Sequence, residues 1–357
     1  MRITKLDGLR GIFSLMIVPI HYTYFPDFIS SNFFIRQSYT FVDFFFVLSG
    51  FVIAFNYNEM KTYSDFWIYM KKRIARLYPL LFFTSILFLA YMLLKNQMSN
   101  FFTSTGDDIL TTKELLFQLF ETLSLSNSNP IFGAGLGLNS PTWSISAEIT
   151  SYIVFGLVSI YAIGKSKKIL LFIITLVSVL FCVYKGGLFW TGDYGFVRGL
   201  ISFNLGYFVF LSYKIKFKLN NNLEYLIPIL ILSIFYILNS YDVEGSDGGM
   251  FGLFTIPLFF ALSITTLLKT DGLLSKLLDT KPIQFLGKVS YSIYLNHLLV
   301  ISLTPKIMFS VLKLPRNTST ELLVFLISIL IVVLYSNYTY KFIEVKGGKY
   351  LRKLLLK

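Results

Sequence analysis

The chain is poor in charge and poorer still in cysteine and histidine. Cys182 is the only cysteine among 357 residues. An intramolecular disulfide is therefore excluded, and a thiolate nucleophile is disfavoured because Cys182 lies within an apolar run. Charged residues make up 14% of the chain, against 55% hydrophobic and 18% aromatic, and the mean hydropathy is +0.66. A soluble domain of this length keeps more charge on its surface and has shorter apolar runs. No small-residue cleavage site follows the first apolar run, so a signal peptide is not expected. No phosphate-loop Lys-Ser/Thr signature accompanies the Gly-rich "IFGAGLGLNSP", which argues against nucleotide binding there. No internal repeat is visible, and no stretch leaves room for a second soluble domain.

What remains is a series of membrane-length apolar windows. Ten lie near 9–26, 40–57, 78–95, 142–163, 168–185, 197–213, 223–240, 250–268, 284–304 and 319–340. The expected fold is an all-α, polytopic membrane helix bundle of about ten transmembrane helices. Lysines and arginines outnumber acids 32 to 19 and gather in alternate connections, as in Lys71–Arg76, Lys165–Lys168, Lys214–Lys218 and Lys269–Lys281. By the positive-inside rule both termini are expected in the cytoplasm. The net charge of +13 is thus a topology signal, and nucleic acid is not an expected partner. Between about 96 and 141, "KELLFQLFETLSL" has apolar residues at helical spacing and predicts an interfacial or re-entrant helix. Residues 1–345 are expected to form the transmembrane domain. Residues 346–357 would be a basic cytoplasmic tail, most simply a membrane-surface anchor.

Ionisable groups inside apolar windows are functional candidates, because inserting each costs about 2–3 kcal/mol or more. Both histidines qualify. His21 follows Arg10 by roughly 16 Å of helix rise, and Pro19 beside it would free backbone carbonyls. The plain alternative is a core histidine hydrogen-bonded to a neighbouring helix. Asp43 enters from the outer side at about the depth of His21 and could orient its ring as a general base. The plainer alternative is a structural partner to a buried Arg or Lys. Ser49–Gly50 reads as close helix packing. Arg73 and Arg76 share one helix face, with Lys72 beside them, and suit phosphate recognition as well as simple anchoring. Glu148 lies a turn or two beyond Trp143, with Ser144 and Ser146 as expected supports. Asn296 and His297 lie in the ninth window, flanked by Tyr291 and Tyr294. Arg198 is a further cation at the outer start of the sixth.

Five of these patterns occur together and in order: "LDGLRG" followed by His21, "VDFFFVLSGFVI", "RIARLYP", "WSISAE" and "YSIYLNH". In this the chain resembles the acyltransferase-3 family of integral-membrane O-acyltransferases, with "GIFSL" bulkier than the small residues common at that place. The resemblance implies an acyl-CoA donor, usually acetyl-CoA, used at the cytoplasmic face of the bacterial inner membrane. The acceptor would be a hydroxyl of a lipid-linked or surface glycan such as O-antigen or capsule. Membrane lipids and possible glycan-assembly proteins would be its other partners. It further implies a short form, since no Gly-Asp-Ser block marks an extracytoplasmic hydrolase-like domain.

On this basis Arg10, Lys72, Arg73 and Arg76 would hold the coenzyme A phosphates. His21, Asp43, Glu148 and His297 would form the catalytic centre, and Trp143, Ser144, Tyr291 and Asn296 would contact substrate. No metal is expected. The rival classes are a proton-coupled secondary transporter, which also places His, Asp and Glu at the midplane, and a glycan exporter without chemistry.

Overall fold

The computed structural model describes residues 3–98, 110–131, 135–187, 191–240 and 246–357. Parts of the acidic "YDVEGSDGG", of the Gly-rich stretch and of the 96–141 connection lie outside them. Among the described residues the chain is helical, with no strand. The main helices are α1 (Thr4–Met16), α2 (Phe41–Tyr57), α3 (Tyr63–Met98), α4 (Thr112–Leu123), α5 (Trp143–Tyr161) and α6 (Lys165–Lys185). They are followed by α7 (Gly195–Lys214), α8 (Leu226–Ser240), α9 (Ser246–Lys269), α10 (Lys281–Pro305), α11 (Thr318–Thr339) and α12 (Lys346–Leu355). Eight helical segments are long and apolar enough to cross a membrane among the described residues. The all-α, polytopic expectation therefore holds.

Two of the ten windows depart from the expectation. The first yields only the 13-residue α1, because Pro19 turns the chain into a 3₁₀ segment over Val18–His21. The third window also starts too late. Lys71, Lys72, Arg73 and Arg76 are not in a connection but on α3 itself, which runs 36 residues through Pro79. Lys and Arg are good helix formers, so the cationic cluster continues the helix out of the apolar zone.

The 96–141 connection does contain a helix, α4. A capping box starts it: Thr111 and Glu114 satisfy each other's backbone N–H groups. Those bonds hold the exposed Glu114 carboxyl below its usual range.

The central packing is α2 against α7, where small residues bring the backbones together. A methyl group added to Gly50 would overlap the Phe203 carbonyl, and one on Gly206 the Val47 carbonyl. The packing reading of Ser49–Gly50 is thus correct at Gly50. α1 lies along α10, and Arg10 ties them by donating to Ser290 Oγ at 2.9 Å and Gly287 O at 2.7 Å.

The C-terminal residues do not form a detached tail. α11 continues through a π-helical stretch, Tyr340–Val345, into α12 without a loop, and α12 packs on the charged part of α3. There Gly348 faces the Ala75 carbonyl and Gly347 faces Pro79.

Candidate active site

Two neighbouring spaces with shared lining residues lie at the end of the bundle that carries Arg73 and Arg76. The outer one, a vestibule of about 530 Å³, is walled by α3 and α12, with Lys72, Arg73, Arg76, Lys349 and Arg352 among its lining residues. The inner one is a narrower cavity of about 120 Å³ lined by Ser49, Ser144, Glu148, Tyr152, Tyr291 and Tyr294. Arg10, Arg73 and Arg76 border both spaces. The border they share, a neck between outer and inner space, thus carries three guanidiniums, from α1 and α3, which suits a doubly charged phosphate group.

Each neck arginine is held differently. Arg10 pairs with Asp7 at 3.2 Å in addition to its bonds to α10. Arg73 donates to Tyr57 Oη at 3.2 Å and lies over that ring, while its buried Nε has no partner. Arg76 is exposed.

In the inner cavity Glu148 Oε1 accepts from Ser49 Oγ and Tyr152 Oη, both at 2.5 Å. Ser144 and Ser146, the expected supports, are engaged elsewhere: Ser144 with Pro141 O and Tyr294 Oη, Ser146 with Leu125 O and Ser128. Ser49 and Tyr152 are therefore site residues that sequence reading missed. Tyr152 had a signal, lying one helical turn after Glu148 on the same face.

The two histidines meet. His297 Nε2 lies 3.4 Å from His21 Nδ1, and their ring centroids are 5.1 Å apart. Hydrogen-bond logic fixes the tautomers. His297 Nδ1 lies 2.8 Å from Tyr294 O and His21 Nδ1 lies 3.3 Å from Ile17 O. A carbonyl only accepts, so each Nδ1 carries the proton. His297 Nε2 is then left to accept from His21 Nδ1, and the free lone pair of the couple is on His21 Nε2. His297 is fully buried and His21 partly exposed. Neither histidine lines the inner cavity. The wall between them is Tyr294, which faces the cavity and touches the His297 ring at 6.0 Å between centroids.

Asp43 does not orient His21. It is fully buried in an ion pair with Arg198, with Nη2 to Oδ2 at 2.6 Å, and accepts from Ser202 at 3.1 Å. An unpaired buried guanidinium beside it would be costly, and Asp43 fills that need. Trp143 packs against the same arginine, 5.4 Å from its guanidinium, and is not at the cavity. Asn296 donates to Thr339 Oγ1 at 2.7 Å, tying α10 to α11, and is also away from the cavity. A further carboxylate was missed. Glu344, on the π-helical stretch, lines the vestibule and accepts from Ser292 Oγ at 2.7 Å. Its signal was a lone acid within a basic segment.

The profile of an acyltransferase domain matches residues 3–338. The chain belongs to the acyltransferase-3 family. YrhL of Bacillus subtilis (strain 168), provisionally named a peptidoglycan O-acetyltransferase, is 28% identical over 333 residues, 85% of this chain and 49% of its own length. The O-acetyltransferase OatA of Staphylococcus aureus (strain NCTC 8325 / PS 47) is 25% identical over 95% of this chain and 56% of its own length. Protein 2 in the picA locus of Rhizobium radiobacter is 33% identical over 165 residues, 43% of this chain. The chain thus spans about half the length of YrhL and OatA. No solved structure matches it. Family and fold together make it a multi-pass membrane protein of the acyltransferase-3 family.

Proposed function

We propose that this chain moves an acyl group, acetyl by preference, from a cytoplasmic acyl-CoA to a hydroxyl of a cell-envelope glycan, with both termini on the cytoplasmic side of the bacterial inner membrane. The observation that carries this reading is the three-arginine neck between a cationic vestibule and a narrow inner cavity. Coenzyme A has that shape: a polyanionic nucleotide, a pyrophosphate, then a thin pantetheine arm ending in the thioester. The pyrophosphate sits at the neck and the arm enters the cavity toward Glu148 and Tyr294. The name of YrhL, a peptidoglycan O-acetyltransferase, supports a glycan hydroxyl beyond the membrane as the acceptor.

His21 Nε2 is the base that takes the acceptor's proton. His297 accepts from His21 Nδ1–H, holding the ring in that tautomer, the role first expected of Asp43. As the alkoxide attacks, the carbonyl carbon gains an oxygen bond and the C–S bond breaks, so coenzyme A leaves as thiolate. Tyr294 stands between thioester and histidines, and its side chain turns aside for transfer. Its hydroxyl, which at rest donates to Pro141 O at 3.1 Å and lies 2.9 Å from Ser144 Oγ, is freed by that turn to donate to the developing oxyanion.

The test uses purified protein with radiolabelled acetyl-CoA and a lipid-linked glycan acceptor. Label passes to the glycan with wild type. His21→Ala drops transfer by about a thousandfold or more, as expected of a lost general base in a proximity-limited site, while the variant stays folded in detergent. Retention of near-wild-type transfer by His21→Ala would reassign the base. Absence of transfer by wild type, with uptake of glycan or protons into vesicles instead, would favour a transporter.

A further inference from the structure

The vestibule has a wall that the donor reading does not need and that sequence reading took for a membrane anchor. Arg73 and Arg76 on α3 face Lys349 and Arg352 on α12, another pair three residues apart on one helix face. Lys288 of α10 joins them, lying 5.4 Å from the centre of the Tyr340 ring. Only two acids, Asp7 and Glu344, line the same space, so it is strongly cationic. The double glycine is what brings α12 this close. A methyl group on Gly347 would lie 2.8 Å from Pro79, and one on Gly348 would lie 3.1 Å from the Ala75 carbonyl. A surface anchor would turn its cations toward lipid phosphates, whereas Lys349 and Arg352 are exposed into a space shared with α3.

We infer that α12 builds a second phosphate subsite, in which Lys349 and Arg352, with Lys288, hold the 3′-phosphate on the ribose of coenzyme A. This rests on the acyl-CoA reading above. The assignment follows from order along the ligand. The neck arginines border both spaces and take the pyrophosphate. Lys288, Lys349 and Arg352 border the vestibule alone, so they meet whatever anion lies farther out on the donor. In coenzyme A that anion is the 3′-phosphate monoester. Its dianion suits two or three cations on separate helices, because charge-assisted bonds from different directions leave no oxygen unpaired.

Calorimetric titration of the full-length protein in detergent, with coenzyme A and with 3′-dephospho-coenzyme A, decides the matter. Wild type is expected to bind coenzyme A about tenfold more tightly than the dephospho form, the size of a lost charge-assisted contact. The double variant K349Q/R352Q loses that preference and binds both ligands with the affinity wild type shows for the dephospho form. A control variant, K353Q/K357Q, removes as many tail charges outside the vestibule lining and keeps the preference. If the first double variant does not fold, R352Q alone is expected to reduce the preference and R352K to retain it. A preference unchanged in K349Q/R352Q, or lost equally in both double variants, overturns the subsite while leaving acyl-CoA binding in place. Wild type that binds neither ligand overturns the acyl-CoA reading and the subsite with it.

Discussion

Asp43 shows what a residue's depth in the sequence can and cannot say. Its position in an apolar window marked it as a buried acid that must have a partner, and that much was legible. Which helix supplies the partner depends on how the helices are rotated about their axes, which no local pattern records. The ion pair with Arg198 has both side chains at 1% exposure or less. Removing one charge strands the other, so Asp43→Asn is expected to cost about 3–5 kcal/mol of stability. The double change Asp43→Leu/Arg198→Met should recover most of that loss, as read by thermal unfolding in detergent. An Asp43 that served His21 would instead lose activity without losing stability. The histidine couple was hidden for the same reason: the rings touch across 276 positions of chain, and two lone histidines in separate windows give no sign that they share a proton.

Among the elements, apolar length was the most readable property, and the errors lie where charge or proline interrupts it. α3 was cut short because its cations looked like a connection. α1 was drawn too long because the apolar run continues past Pro19, although the helix cannot. The α2–α7 contact was legible through Ser49–Gly50 but its counterpart Gly206 was not, since a glycine in a span has many uses. At that contact neither backbone can move away without opening the bundle centre. Gly50→Leu is expected to destabilise the protein by about 1–3 kcal/mol or more, while Tyr184→Leu at an exposed position of α6 leaves the unfolding midpoint within experimental error. Equal midpoints for Gly50→Leu and wild type would remove the close-packing account.

For the whole molecule, the alternation of basic connections predicts an orientation that the proposed acyl-CoA donor also demands, since such a donor would meet the vestibule cations on the cytoplasmic side. Cys182 makes this easy to measure: it is the only cysteine and is fully buried. On a Cys182→Ser background, a cysteine placed at Lys357 should react with a membrane-impermeant maleimide only after right-side-out vesicles are opened. One placed at the exposed Phe28, between α1 and α2, should react without opening. Labelling of both in sealed vesicles would reverse or abolish the proposed polarity. The bundle was thus readable at this scale, and its sidedness is what the labelling measures. The docking of α12 on α3 was not readable, because an amphipathic basic helix matches a lipid surface and a protein groove equally well.

The unbroken passage from α11 into α12 has a practical corollary. Family similarity ends at residue 338, one residue before α11 does. An expression boundary drawn there would cut a helix mid-course and strip the entrance of one of its two flanks. Such a truncate could embed, fold and retain its histidines, yet find its donor poorly. Any activity measured on this chain therefore depends on keeping the residues after 338 attached.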